Sequence, residues 1–253
     1  LCIYTNLSKD HIGGAEHPTF EHYMECKRKL FTDYGAKTVI YNADDGYAKA
    51  MISDVAPSTR LISYALCNGA DYKADGIAKF RQADRLGVSF DFLNEGCIYK
   101  TEIGFPGSFS VYNALAAIAT CRECGISKGK IAEVISGVQI SGRFETVQAL
   151  PYATFIIDYA HNEVSLTSAL ETLRSYEPKR LICLFGSVGG RTKGRRAELG
   201  RAAAELADFS VLTADNPDFE DPENVIRDIE TQFSGKDNYI KISDRKESIR
   251  YAA

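Results

Sequence analysis

Three apolar runs in the second half of this sequence each end in polar or glycine residues that could line a ligand site. TFIIDYAHN delivers Asp158, His161 and Asn162; LICLFGSVGGR delivers a glycine-rich turn with Arg191; FSVLTADNPD delivers Asp215 and Asn216. Open parallel sheets bind ligands beyond the carboxyl ends of their strands, so three such loops in succession are expected to face one cleft. The competing account is that Asp, Asn and Gly here only make strand-to-helix turns and helix caps.

In the first half the residue that stands out is a lysine. Within HPTFEHYMECKRKLFTDYG, Phe20, Tyr23, Met24, Leu30, Phe31 and Tyr34 fit one helical stripe, and Lys27 projects from its middle while Arg28 and Lys29 point away. A lone ammonium on a buried face is unfavourable unless it is paired or chemically altered. Otherwise it snorkels past the stripe or meets a buried carboxylate. His11 follows a strand in TNLSKDHI and has the surroundings of a loop histidine. Cys121 and Cys124 form a C-x-x-C with no second pair to complete a zinc site, and they read as cysteines closing an Ala-rich helix.

The elements that must hold these residues alternate. CIYTNL, TVIYNA, RLISYAL and VSFDFL read as strands, followed by helices over 109–124 and 128–136. A second series begins after a boundary near 141–150: strand TFIIDYA, helix 163–175, strand RLICLFG, helix 195–206, strand FSVLTA and a helix from Pro222. Such alternation predicts an α/β fold with a largely parallel sheet. The 253 residues are 45 % apolar and 25 % charged, enough to bury a core. With 30 basic and 34 acidic residues, the chain has no net positive charge with which to bind nucleic acid or an anionic membrane. No run approaches the roughly 18 apolar residues of a membrane span. Seven scattered cysteines suit a reducing cytoplasm. The chain opens in LCIYTNLS, as if within a strand, and closes in ISDRKESIRYAA, as if within a helix, so it is expected to be a fragment.

Read together, TNLSKDHI, HPTFEHYMECKRKLF, YNADD, FSVYNALAAIAT, SGRFE, IIDYAHN, LFGSVGGRTKGRR and TADNPDFEDP resemble the Mur ligase family, in family order over nearly the whole chain. The DYAHN, GGR and DNP set is most similar to its tripeptide-forming branch. The resemblance implies part of a parallel-sheet, P-loop-type central ATPase domain over 1–141. A Rossmann-like C-terminal ligase domain, truncated, would follow over 142–253. The family's G-T-x-G-K-[ST] phosphate loop is not found in these residues, so the chain is expected to be inactive by itself.

Residue by residue, the resemblance makes His11 a magnesium ligand and Lys27 the lysine that becomes a carbamate, an anionic oxygen donor suited to Mg²⁺. It matches Asn113 to the adenine contact, Arg143 to the phosphates and catalysis, and Asp158 to the ribose. His161, Arg191, Asp215, Asn216 and Asp218 then fall on the amino-acid side. Ser110 stands where relatives often have asparagine. The implied reaction uses ATP and Mg²⁺ to phosphorylate the D-glutamate carboxylate of UDP-N-acetylmuramoyl-L-alanyl-D-glutamate, after which the amine of a diamino acid attacks the acyl phosphate. The enzyme implied is a cytoplasmic monomer with no nucleic-acid or membrane partner. Diaminopimelate-adding relatives carry DNPR where this chain has DNPD; Asp218 there repels a distal carboxylate and suits L-lysine or L-ornithine, unless it only caps the following helix. The alternatives are another ligase of the Mur or folylpolyglutamate type and a non-catalytic ligand-binding module. A dinucleotide-binding oxidoreductase would need a G-x-G-x-x-G after its first strand, and none is present.

Overall fold

The computed structural model describes residues 1–9, 12, 17–82, 85–150, 152–190 and 193–253, apart from the side chains at 148 and 149. His11 and Arg191 lie outside the described residues. The chain divides into two compact units, Leu1–Gln139 and Ile140–Ala253.

The first unit is built on a six-stranded sheet in sequential order: β1 (Cys2–Tyr4), β2 (Thr38–Asn42), β3 (Arg60–Ala65), β4 (Tyr72–Arg81), β5 (Leu86–Asn94) and β6 (Cys97–Ile103). β1 to β4 pair in parallel, whereas β4, β5 and β6 form an antiparallel meander. The largely parallel expectation is therefore corrected for this half of the sheet. β4 escapes a reading of periodicity because most of it is exposed and its register shifts between Asp75 and Ala78, so only its pairing with β5 reveals it. Glu95 and Gly96, with φ of 51° and 74°, close the two-residue turn from β5 to β6.

Alternate residues of β2 face two separate cores, as the pleat requires. Ile40 joins Ile62, Tyr64, Phe90 and the inner face of α3 (Ser108–Glu123), beside which lies α4 (Lys128–Ile135). Val39 joins Tyr4, Met51, Tyr23 and Phe31, under α1 (Phe20–Thr32) and α2 (Ala48–Ile52). On α3 the apolar residues that reach the sheet include Ala114, Ala116 and Ala119, whose small side chains bring the helix close.

α1 departs from its expected stripe. Within it only Tyr23 and Phe31 are buried; Leu30 is exposed, as is Tyr34 just beyond the helix end. Lys27 lies between Tyr23 and Phe31 on one helical line yet is exposed, its ammonium 4.9 Å from the centre of the Tyr23 ring. The two aromatic residues fill the contact with the sheet, and the flexible lysine stem runs past them to water. Of the readings its position on the stripe allows, the structure shows the one in which Lys27 snorkels to water.

The second unit opens with β7 (Glu145–Leu150) and β8 (Ala153–Ile157), paired antiparallel in a two-stranded sheet. This corrects the placement of TFIIDYA as the first strand of a parallel series: the preceding ETVQAL, read as a boundary segment, is its partner. Then come α5 (Glu163–Arg174), β9 (Ile182–Phe185), α6 (Lys193–Leu206), β10 (Phe209–Leu212), α7 (Pro222–Glu230), β11 (Tyr239–Lys241) and α8 (Arg245–Ala252). β9, β10 and β11 form a parallel sheet with β10 in the centre. Its core gathers Leu166 and Leu170 of α5, Leu199 and Ala203 of α6, Leu212 of β10, and Ile226 and Ile229 of α7. Cys183 lies in this core, where burial pushes its thiol up to about 12, and all seven cysteines are free. Among the described residues no helix is long and apolar enough to cross a membrane.

Candidate functional site

At the carboxyl ends of the parallel strands of the first unit, two adjacent carboxylates tie the loops together. Asp44 accepts hydrogen bonds from the backbone N–H of Leu66 (2.6 Å), Cys67 (2.9 Å) and Asn68 (2.8 Å), and from the Tyr112 hydroxyl (2.8 Å). Burial opposes its charge, but these donors outweigh burial and hold its carboxyl below the usual carboxylate range. Burial, and then the bond to Asp44, raises the Tyr112 hydroxyl, so it remains a donor. Asp45 accepts from the Tyr4 hydroxyl and from the Leu7 N–H. One Asp pair therefore joins the loops after β1, β2 and β3 to α3, where Tyr112 precedes the exposed Asn113. Ser110 is buried and its hydroxyl donates to the Pro106 carbonyl at 2.7 Å, a local bond at the start of the helix.

In the second unit the turn before β7 and the loop after β8 form one group. Asp158 accepts from the N–H of Phe144 and from the N–H of Ala160, both at 2.9 Å. Phe144 is buried and holds a φ of 46°, a conformation uncommon for a residue with a side chain, and the Asp158 bond pins it. The neighbouring Arg143 is thereby held out to solvent with its guanidinium carbon 4.8 Å from the centre of the Tyr159 ring. The His161 ring lies 5.3 Å from that of Tyr159. Arg143, Tyr159 and His161 make an exposed surface, with Asp158 half-buried beneath it, carrying cation, ring and hydrogen-bonding groups that suit an anionic or aromatic ligand. Asn162 serves the fold instead: it caps α5 in a reciprocal capping box with Ser165.

The loops after β9 and β10 pack directly on each other. Gly189 donates to the Asn216 carbonyl at 2.8 Å, and a Cβ placed on Gly189 would fall 1.8 Å from the Pro217 carbonyl oxygen. Only glycine fits. Asp215, Asn216 and Asp218 are exposed on this joint surface. Asp218 has a φ of 54°, its N–H donates to Asn216 Oδ1 at 3.3 Å, and its carboxylate lies over Gly190, where a Cβ would be 2.7 Å away. It is not a helix cap, since Asp221 caps α7 by accepting from the Glu223 N–H at 3.0 Å.

Beneath this surface sits Arg196, only 1 % exposed. Its guanidinium binds Glu220 at 2.6 Å and Asp228 at 2.8 Å, and the same Glu220 oxygen accepts from the Gly190 N–H at 2.8 Å. The arginine and then the Gly190 N–H hold Glu220 below the usual carboxylate range. One buried side chain thus fixes the glycine turn to the segment between β10 and α7.

Two family descriptions cover this chain: the Mur ligase middle domain matches residues 1–121, and the glutamate ligase domain of Mur ligases matches residues 142–253. The chain belongs to the Mur ligase family. A UDP-N-acetylmuramoyl-L-alanyl-D-glutamate–2,6-diaminopimelate ligase of Clostridium acetobutylicum is 36 % identical over 253 residues, 99 % of this chain and 50 % of that protein. A solved structure of a ligase of the same description is 30 % identical, with a TM-score of 0.63, over 99 % of this chain and 51 % of that one. The MurF ligase of Thermotoga maritima, solved with ADP, shares the fold at 17 % identity and a TM-score of 0.66, over 92 % of this chain and 51 % of that one. The chain spans about half the length of the curated relatives it matches.

In this Mur ligase chain the structure places Lys27 and Asn113 in the first unit and Arg143, Asp158, His161, Asp215, Asn216 and Asp218 in the second. It groups Arg143, Asp158 and His161, and separately groups Asp215, Asn216 and Asp218. Asp44 and Arg196 were missed as individual positions, although YNADD and TKGRR lie within the resembling segments. A buried arginine and a carboxylate with four donors are visible only once distant segments meet.

Proposed function

We propose that the protein containing this chain is an ATP-dependent ligase that joins a diamino acid, meso-diaminopimelate as the first reading, to UDP-N-acetylmuramoyl-L-alanyl-D-glutamate. The observation that carries this is the likeness to ligases of that description along 99 % of the chain. In this reading the first unit closes the ATPase domain and the second is the ligase domain.

A carboxylate is a poor electrophile, so the γ-phosphoryl group of ATP first converts the D-glutamate carboxylate into an acyl phosphate. The amine of the incoming amino acid then attacks its carbonyl carbon, and phosphate leaves. Asn113 contacts the adenine and Asp158 the ribose. Arg143, held by the Phe144 turn and the Tyr159 ring, sets a guanidinium against the phosphates, where charge spreads during transfer. Asp215, Asn216, His161, Arg191 and Asp218 hold the amino acid, and the Arg196–Glu220 pair keeps the Gly190 and Asp218 backbone in register. Lys27, as a carbamate, and His11 would hold Mg²⁺, the ligand set the family resemblance implies. The ion, when bound, neutralises phosphate charge. The nucleotide substrates suit a cytoplasmic enzyme.

Asp218 favours a second reading. Its carboxylate beside Gly190 would oppose a distal carboxylate and attract an ammonium, as on L-lysine or L-ornithine. Full-length enzyme given the UDP-linked dipeptide, ATP and Mg²⁺ is expected to form the tripeptide product and ADP, followed by mass spectrometry. A kcat/KM series over the three amino acids ranks the two readings. ADP formation without a tripeptide from any diamino acid overturns both.

A further inference from the structure

We infer that His17, His22 and Cys26 form a binding site for a borderline transition-metal ion of the zinc class, separate from the magnesium chemistry of the ligase reaction and independent of the function proposed above. His22 and Cys26 stand four residues apart on α1, so they share one helical face. His17 precedes the Thr19 cap and meets them from the incoming segment, which Ile12 pairs through an isolated bridge. One donor atom from each of the three residues lies within 4.8 Å of the others. His17 Nδ1 is 3.0 Å from His22 Nδ1, and Cys26 Sγ is 4.0 Å from His22 Nδ1 and 3.8 Å from its Nε2.

These spacings come close to what an ion would impose. With Zn–N near 2.0–2.1 Å and Zn–S near 2.3 Å, tetrahedral ligands stand about 3.4 Å apart for two nitrogens and about 3.6 Å for nitrogen and sulfur. The separations from His22 to His17 and to Cys26 differ from these by less than about 0.5 Å, and His17 and Cys26 lie within 4.8 Å of each other, so closing all three onto an ion takes side-chain rotation of up to about 1.2 Å. The donor set is two imidazoles and a thiolate, which selects zinc-class ions over Mg²⁺, an ion that prefers oxygen. Three protein ligands, two on an exposed helix face and the half-buried His17 before it, leave a fourth position to water. An ion held here would fasten the segment before α1 to the helix that carries Lys27.

Cobalt(II) tests the site on the chain as it exists, because thiolate ligation gives a near-ultraviolet charge-transfer band and four-coordination gives intense visible bands. The expected result is one Co²⁺ per chain with both signatures, displaced by Zn²⁺ and not by a large excess of Mg²⁺. Cys26→Ala loses the charge-transfer band, and His17→Ala and His22→Ala each weaken binding at least about tenfold. Cys97→Ala, at an exposed cysteine on another strand, leaves the spectrum unchanged. His22 and Cys26 are exposed, so circular dichroism of their variants should match the parent. Absence of a stoichiometric cobalt spectrum, a band that survives in Cys26→Ala, or parent-like affinity in either histidine variant overturns the site.

Discussion

Replacing Arg196 with methionine removes the charge at the centre of the Glu220, Asp228 and Gly190 network while keeping most of the apolar stem. Removing one partner of a fully buried ion pair costs about 3–5 kcal/mol, because the other charge is left without compensation. Here the arginine is 1 % exposed but the two carboxylates keep 34 % and 35 % of their side-chain surface in water, which lets them rehydrate in part. The buried Nε already lacks a partner, a further reduction in what is lost. The expected destabilisation for Arg196→Met is therefore about 2–3 kcal/mol, read from urea unfolding followed by circular dichroism. The Gly190 amide should exchange faster as well, since its acceptor Glu220 loses its anchor. Arg196→Lys should fall between parent and methionine, because a point charge on a shorter donor set cannot span both carboxylates. A loss below about 1 kcal/mol with Gly190 exchange unchanged would refute the argument that this pair holds the two loops together.

Gly189→Ala should destabilise the chain by about 2 kcal/mol or more in the same urea assay, since its Cβ would overlap the Pro217 carbonyl and neither element is a flexible side-chain end. Asp208 is held below the usual carboxylate range by the Arg174 guanidinium and the Leu181 N–H. It contributes stability at pH values above that range and loses it as pH falls through its lowered folded value. Asp208→Asn should therefore flatten the acid limb of a plot of Tm against pH; an unchanged limb refutes the assignment. In the full-length enzyme, Lys27→Ala should abolish ligation, with partial recovery on adding a short carboxylate that substitutes for the carbamate. Unimpaired turnover by that variant would remove Lys27 from the reaction.

Local signals are readable wherever the deciding residues lie within a few positions of one another. The helices at α3, α5 and α7 follow from apolar spacing together with Asn162, Pro222 and the glycine at 125, signals that lie within a turn of the helix ends, whereas the cap of α7 is Asp221 and not Asp218. The polar ends of DYAHN, GSVGG and TADNPD are equally plain in the residues themselves. What the chain order does not reveal is which surfaces meet. β4 and β7 take their identity from pairing with β5 and β8, and β7 shows no clean alternation because its register shifts after Val147. Lys27 sits on the helical line of Tyr23 and Phe31, and periodicity alone leaves it either paired, altered or snorkelling; the two rings fill the sheet contact and its ammonium reaches water. Asp44 finds its donors at Leu66, Cys67, Asn68 and Tyr112, and Arg196 finds Glu220 and Asp228. Those partnerships cross tens of residues, and a hydrogen bond or ion pair between distant segments has no periodicity for a sequence to carry. Tertiary packing brings the groups within reach, and burial then makes an unpaired partner costly enough to hold them there.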